Sequence, residues 1–401
     1  MTDIRPSGAP TKPVEPSTRP HIAYLDGIRA LAALFVMFSH TWQGPFGRVA
    51  RTGLLGLLTN WALYGHLAVD VFIVLSGFCL VLPVAQSKYI KGGIRNFYFK
   101  RAHRILPPFY FAIALSLFVN FLVHKIGGHP LISLQGVFVN LFLLQDWFPK
   151  FNVLGPLWSV ALEWKIYFLF PMFVWIWRRF GVVLMLFVAA MIGYSATLTF
   201  HLMQPTVAMG NTCPWYVLLF ALGMSAGIAA VNSTQIVPNV KLRWVLPVSV
   251  ICAAYVLVKW PITTVGEWEL YVPHLPVIDP IVGVSAAAIL LFLYRNQNND
   301  NVRILQLPSW KPLVFIGTFA YSIYLVHLPI LWIAVGGLHK ISALKSSVPI
   351  TALVSFFIVI PLIVAFAYVF YFVCERPFLN KKHAAPSPLV QSDIQEAHVL
   401  L

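Results

Sequence analysis

Residues 66–86, HLAVDVFIVLSGFCLVLPVAQ, form an apolar run in which Asp70 is the one acidic or basic side chain besides His66. A helix needs about 20 mostly apolar residues to cross the hydrocarbon core of a bilayer. The rest of the chain has the same character, since 59% of its 401 residues are hydrophobic and 10% are charged. Soluble domains carry roughly 25% charged residues. The sequence therefore predicts a helical integral membrane protein.

Apolar runs of similar length recur along the chain and predict an all-α bundle of about ten transmembrane helices. The predicted spans lie near 23–43, 66–86, 105–124, 157–177, 180–200, 214–231, 244–260, 276–294, 313–336 and 349–374. The apolar stretch 133–147 is too short for a normal span, so we interpret it as interfacial or re-entrant. The membrane domain extends over 22–379, between a disordered tail at 1–21 and a polar tail at 380–401.

The loop charges predict the orientation of the bundle. Most of the 28 Lys and Arg residues fall in alternate loops, and cytoplasmic loops carry such an excess. This places both termini in the cytoplasm. The net charge of +15 is then a consequence of topology and does not indicate a nucleic-acid partner. The four cysteines lack metal-ligand spacing, so we predict neither a disulfide framework nor a metal site.

Ionisable residues inside predicted spans are the first candidates for a functional site, because lipid burial makes them costly. Arg29 and His40 in the first span are eleven residues apart, so they share a helix face about 16 Å apart along the axis. Asp26 can pair with Arg29, which is the structural alternative for that residue. We expect one polar cavity to hold His40 and three ionisable residues of later spans, namely Asp70, Glu163 and His327.

A basic cluster precedes the third predicted span. Arg101 and Arg104 are three residues apart at a helix start, so both guanidinium groups can face one anion and hold a phosphate. The alternative is that these charges only set the topology and contact lipid headgroups.

Three short motifs mark the first half of the chain. Arg29 and His40 represent a basic residue and a histidine separated by ten residues. The second motif is 69–78, VDVFIVLSGF, which contains Asp70 and Ser76. The third is Arg-x-x-Arg ahead of an Ile and Pro, formed by Arg101 and Arg104.

Three more motifs mark the second half, namely 158–163 (WSVALE), 321–327 (YSIYLVH) and 375–378 (ERPF). In this order the six motifs resemble those of the acyltransferase-3 family of membrane-bound acyltransferases, over about 22–379. Two departures stand out. Trp164 occupies a position where the family often has a second acidic residue. We also expect the stand-alone form, without the extracytoplasmic hydrolase-like domain that many relatives carry.

The resemblance implies an enzyme that transfers an acyl group, most often acetyl, from acyl-CoA to a hydroxyl group. The acceptor is a glycan, a lipid-linked sugar or a small hydroxylated molecule, and the site lies in a plasma or inner membrane. His40 is the candidate general base or acyl carrier, because imidazole titrates near neutral pH. Glu163 is the candidate that orients it.

The resemblance also implies roles for the other motif residues. Arg29, Arg101 and Arg104 are expected to bind coenzyme A, and Arg29 alternatively stabilises an oxyanion. Six residues are expected to line the acceptor cavity: Asp70, Ser76, Trp158, Tyr321, Tyr324 and His327. A buried core histidine is the alternative for His327.

A second functional class stays open at this point, because intramembrane charges also mark the pathways of ion- or proton-coupled transporters. Such a transporter often contains repeated halves with interrupted helices, and the sequence contains no such repeat. The loop 260–279 combines aromatic and acidic residues that suit a sugar. An interfacial aromatic belt is its alternative interpretation.

Overall fold

The computed structural model describes residues 22–46, 53–125, 130–151, 155–203, 212–231, 245–297, 299, 307–338 and 348–379. Within these ranges every regular element is helical, which confirms the all-α prediction. The predicted tails 1–21 and 380–401 lie outside the described residues.

The helices follow the apolar runs of the sequence. They are α1 Ala23–Phe46, α2 Gly53–Thr59, α3 Leu67–Ser87, α4 Gly93–Lys125, α5 Leu134–Leu141, α6 Trp158–Phe180, α7 Val182–Met203, α8 Tyr216–Val231, α9 Val245–Lys259, α10 Trp268–Tyr271, α11 Leu275–Asn296, α12 Lys311–Gly317, α13 Ala320–Leu338, α14 Val348–Val354 and α15 Ile360–Phe370. π-helical turns at Ser355–Val359 and Tyr371–Glu375 continue the last helix on either side of α15.

Six helical stretches in the described part of the chain are long and apolar enough to cross a membrane. A seventh is added if α12 and α13, which meet at a bend of 72°, form one broken span. The protein is thus a multi-pass integral membrane protein. Helices α1, α8 and α9 fall within or overlap three further predicted spans, 23–43, 214–231 and 244–260, and whether these helices cross the membrane stays a prediction.

Helix α3 packs closely against α8 at the centre of the bundle. A Cβ atom added to Gly77 would lie 2.1 Å from the Phe220 carbonyl oxygen, and one added to Gly223 would lie 1.9 Å from the Val74 carbonyl oxygen. Small residues permit this approach of two backbones in lipid, where no hydrophobic force drives helices together.

The stretch 133–147 does not form a spanning helix. Helix α5 has eight residues and is about 12 Å long, well short of the hydrocarbon core. The segment after it is held to α6 by Lys165, whose Nζ donates to Asp146 Oδ1 at 2.6 Å and to the Leu143 carbonyl oxygen at 2.5 Å. This ion pair explains how a polar turn is accommodated beside apolar helices.

The helices alternate in direction and give the bundle two distinct ends. At one end, Arg29 near the start of α1 donates to Cys79 Sγ late in α3 at 3.1 Å. At the other, the start of α6 meets the start of α8, where the Trp158 and Tyr216 rings are 5.9 Å apart. We call these the arginine end and the aspartate end, the latter after Asp70 and Asp279. Which end faces the cytoplasm stays a prediction.

The contact between α3 and α8 leads to a stability prediction. Gly77→Ala places a methyl group against the backbone of α8, which cannot rotate away. We expect a lower unfolding temperature in detergent, equivalent to about 1–3 kcal/mol. Gly44→Ala is the matched control, because a Cβ atom there meets no atom within 4 Å and alanine favours the helix. Equal unfolding temperatures for the two variants would contradict the prediction.

Candidate functional site

Two histidines from helices that are distant in sequence meet inside the bundle. His40 Nδ1 in α1 lies 3.0 Å from His327 Nε2 in α13. The two rings are nearly parallel, at an angle of 10°, and lie side by side with their centroids 5.1 Å apart. His327 is 1% exposed, whereas His40 is half-buried. The structure therefore gives His40 the partner that its own helix lacks.

The proton positions of this pair follow from the other contacts of His327. Its Nδ1 atom lies 3.1 Å from the Ile323 carbonyl oxygen and 2.8 Å from the Tyr324 carbonyl oxygen. Carbonyl oxygens only accept hydrogen bonds, so His327 Nδ1 carries a proton. In the neutral ring Nε2 then accepts, and His40 Nδ1 donates to it. His40 Nε2 keeps a free lone pair, as a base or nucleophile requires.

Glu163 is held by Tyr167, which lies one turn further along the same helix. Its carboxylate accepts a hydrogen bond from Tyr167, and the Tyr167 hydroxyl lies 2.9 Å from Ser76 Oγ in α3. Glu163 interacts electrostatically with Arg101 toward the arginine end and with Tyr324 on the other side. It therefore lies between the arginine end and the histidine pair.

Two tyrosines of α13 bind backbone oxygens. The Tyr324 hydroxyl donates to the Pro156 carbonyl oxygen at 2.8 Å and lies 2.6 Å from Ser159 Oγ. The Tyr321 hydroxyl donates to the Ile105 carbonyl oxygen at 3.1 Å. A phenol has one proton to donate, and each tyrosine gives it to a backbone oxygen. Tyr324 thereby fixes α13 against the start of α6, and Tyr321 fixes it against the middle of α4.

The two groups of predicted arginines lie close together at the arginine end. Arg29 pairs with Asp26, as their spacing allows, and it also contacts Cys79. Arg101 and Arg104 both interact electrostatically with Cys79, so all three guanidinium groups lie in one region. Arg104 is exposed, and the buried Nε of Arg101 has no hydrogen-bond partner among the described residues.

The ERPF segment borders the same region. Glu375 is 2% exposed, and its carboxylate accepts a hydrogen bond from Ser322 in α13. It interacts electrostatically with Arg104. The last helix is thus tied to α13 at the position where α13 passes the arginines.

We call the series Arg101, Tyr167, Glu163, Tyr324, His327 and His40 the polar path. Hydrogen bonds join Tyr167 to Glu163 and His40 to His327, the Tyr324 and His327 rings are 5.9 Å apart, and Arg101 and Tyr324 both interact electrostatically with Glu163. The length of the path along α1 is that between Arg29 and His40, about 16 Å. The path joins a cationic region to a basic nitrogen. A long anionic ligand fits such an arrangement, with its charges at one end and its reactive group at the other.

Asp70 and Trp158 lie to one side of this path, at the aspartate end. Asp70 interacts with Asp279 and Tyr216, and Trp158 packs on Tyr216. Asp279 is not among the candidates selected from the sequence. It lies inside the predicted span 276–294, and the cost of burying a carboxylate in lipid is a signal that could have selected it. Tyr167 and Cys79 carried no comparable signal.

The chain has recognisable relatives. A family model described as an acyltransferase domain matches residues 22–372. A Bacillus subtilis protein named as a candidate peptidoglycan O-acetyltransferase is 28% identical over 337 residues, which cover 78% of this chain and 49% of that protein. The Listeria monocytogenes peptidoglycan O-acetyltransferase is 26% identical over 344 residues, 78% of this chain and 50% of its own.

A Staphylococcus aureus O-acetyltransferase is 24% identical over 331 residues, 77% of this chain and 50% of its own. The chain thus spans about half the length of these curated relatives. No solved structure matches it at significant similarity.

Proposed function

The chain belongs to the acyltransferase family whose model matches residues 22–372, and we propose that it transfers an acetyl group from acetyl-CoA to a hydroxyl group of a glycan. The observation that carries the proposal is the histidine pair, in which His40 Nε2 retains a lone pair at the end of the polar path. Enzymes that transfer acyl groups to hydroxyls need such a base or nucleophile.

The proposed reaction uses His40 as the proton acceptor. The hydroxyl oxygen attacks the thioester carbon while its proton moves to His40 Nε2. The carbon–sulfur bond then breaks, and the thiolate of coenzyme A takes the proton from Nε2. His327 stabilises the transient imidazolium by accepting the Nδ1 proton in a hydrogen bond. In the two-step alternative, Nε2 attacks the thioester carbon and the hydroxyl then removes the acyl group from the ring.

The donor is proposed to enter at the arginine end. Coenzyme A carries several phosphate charges on one end of a long arm and its thioester on the other. Arg101 and Arg104 supply planar groups that suit phosphate, and Arg29 adds a third although it is already paired with Asp26. The distance along α1 to His40 matches the need for an extended arm.

The acceptor is proposed to be a glycan of the cell envelope, because two relatives are named for peptidoglycan. It reaches His40 from the aspartate end, where aromatic residues are close by. His66 and Tyr64 lie there beside Tyr271, and His274 packs on Trp260. Aromatic faces of this kind suit a sugar ring.

The histidine pair yields the principal test. Purified protein is incubated with acetyl-CoA and a muropeptide acceptor, and free thiol is followed. His40→Ala should lower kcat by about 10²–10⁴-fold, the usual contribution of general acid–base catalysis. His327→Phe removes the acceptor for His40 Nδ1 and should lower kcat by at least about tenfold. His327→Gln, whose amide oxygen can accept, should recover part of that loss.

The control for these variants is His201→Ala, which removes an exposed histidine from α7. It should leave kcat unchanged, and all variants should elute as single species with similar unfolding temperatures. Thiol release by His40→Ala at the wild-type rate would remove His40 from the chemistry. Equal rates for the Gln and Phe variants of position 327 would show that the hydrogen bond has no part in it.

The arginines give a separate prediction about the donor. Arg101→Ala combined with Arg104→Ala should raise the KM for acetyl-CoA by at least about tenfold, because charged hydrogen bonds contribute about 1.5–3 kcal/mol each. Unfolding temperature and the direct binding of coenzyme A are measured in parallel.

Arg178→Ala combined with Arg179→Ala is the matched control, since it removes the same charge at the end of α6. Coenzyme A affinity should not change in that variant. An equal loss in both double variants would assign the effect to overall charge, and no loss in either would make Arg101 and Arg104 topology charges only.

A further inference from the structure

A second cluster of ionisable residues lies at the aspartate end, and none of its members belongs to the polar path. It consists of His66 just before α3, Asp70 in the first turn of α3 and Asp279 near the start of α11. One potential ligand atom from each lies within 4.8 Å of the other two. The cluster brings together the beginnings of two helices that cross the bundle in the same direction.

These groups are buried without adequate partners. Asp70 and Asp279 are both 0% exposed. Both oxygens of Asp70, Oδ1 of Asp279 and both ring nitrogens of His66 make no hydrogen bond of normal geometry with the described residues. Burial of a carboxylate without compensation costs several kcal/mol. Something else must therefore satisfy this cluster.

The neighbouring side chains orient the carboxylates without neutralising them. Trp215 Nε1 donates to Asp279 Oδ2 at 2.8 Å, and the Tyr216 hydroxyl interacts with Asp70. Both groups are neutral dipoles. Neither carboxylate forms a salt bridge with a Lys or Arg in the described part of the chain, and the one titratable cation near them is His66, 3.5 Å from Asp279. Two negative charges thus lack a fixed countercharge.

We propose that His66, Asp70 and Asp279 bind one divalent transition-metal ion, of which Zn²⁺ is the simplest example. The charge of the ion balances both carboxylates. Ligand atoms about 2.0–2.1 Å from a tetrahedral ion are roughly 3.3 Å apart. The separation of 3.5 Å between His66 Nε2 and Asp279 Oδ1 fits that value and exceeds a normal hydrogen bond.

The donor atoms select the class of ion. An imidazole nitrogen with carboxylate oxygens suits zinc, manganese, iron or cobalt, whereas Ca²⁺ and Mg²⁺ prefer oxygen ligands alone. The His66 ring is already fixed by edge-on contacts with Trp268 and Tyr271, at centroid distances of 4.9 and 5.4 Å. Trp215 fixes Asp279 through a hydrogen bond. Such support of ligand side chains is usual at metal sites.

The ion links this end of the bundle to the helix that carries His40. Gly65, next to His66, packs against Ser39, next to His40, so closely that an added Cβ atom would lie 2.5 Å from the Ser39 side chain. An ion bound by His66 therefore also fixes Gly65, which packs against α1 beside His40. The inference does not depend on the proposed function, because it concerns binding and stability.

The test measures metal content and stability of tag-free protein. Wild type, exposed to Zn²⁺ and passed through a desalting column, should retain about one ion per chain by elemental mass spectrometry. Removal by a chelator should lower the unfolding temperature, and Zn²⁺ or Co²⁺ should restore it whereas Mg²⁺ should not. Bound Co²⁺ should also give the visible absorption of a low-coordinate site. This spectrum is recorded on the wild-type protein only.

Substitutions then locate the ion. Asp279→Asn and His66→Gln should each weaken Zn²⁺ binding by at least about tenfold. Asp146→Asn is the matched control, since Asp146 is equally buried but pairs with Lys165, and it should keep the ion. The proposal is overturned if wild type retains no metal and is unaffected by chelator, which would mean that protons alone satisfy the cluster. Retention of the ion by both ligand variants would overturn it as well.

Discussion

The hydrogen bond between His40 Nδ1 and His327 Nε2 is the interaction on which the proposed chemistry depends. It joins the first described helix to α13, and it determines which nitrogen of His40 is free. Two backbone carbonyl oxygens of α13 accept the proton of His327 Nδ1, and helix geometry fixes their positions. The backbone of α13 thus determines which nitrogen of His40 is free, through the intervening ring of His327.

Burial in lipid explains much of the remaining polar structure. A helix bundle in a membrane must satisfy its polar groups internally. Tyr321 and Tyr324 bind backbone oxygens, Lys165 neutralises Asp146, and Ser322 donates to Glu375. The residues left without such partners are therefore informative. Among them are the buried Nε of Arg101 and the cluster around Asp70, and a ligand is proposed for each.

The sequence alone predicts the helices and the separation of Arg29 from His40, because both depend on local periodicity. It also predicts that 133–147 does not cross, since that stretch is short. It does not predict that His327 is the partner of His40, because this contact joins residues 287 positions apart. Nor does it identify the cluster at the aspartate end, where His66 and Asp279 meet only after α3 and α11 pack.

Packing supplies the partners of two motif residues. An acceptor-side role for Tyr324 stays a prediction, and the structure shows its hydroxyl donating to the Pro156 carbonyl oxygen. Asp70 was expected to line the same cavity as His40, and its contacts lie with Asp279 and Tyr216. Residue type and spacing indicate that such groups matter, but the partner of each one is decided by tertiary contacts.

The protonation state of His40 is the most direct test of this account. Protein labelled with ¹⁵N-histidine is compared at neutral pH with its His40→Ala variant, so that the signals of His40 are assigned among the 12 histidines. We predict a neutral ring with its proton on Nδ1 and a lone pair on Nε2, and the same tautomer for His327. A His40 ring protonated on Nε2 and bare on Nδ1 would contradict the account.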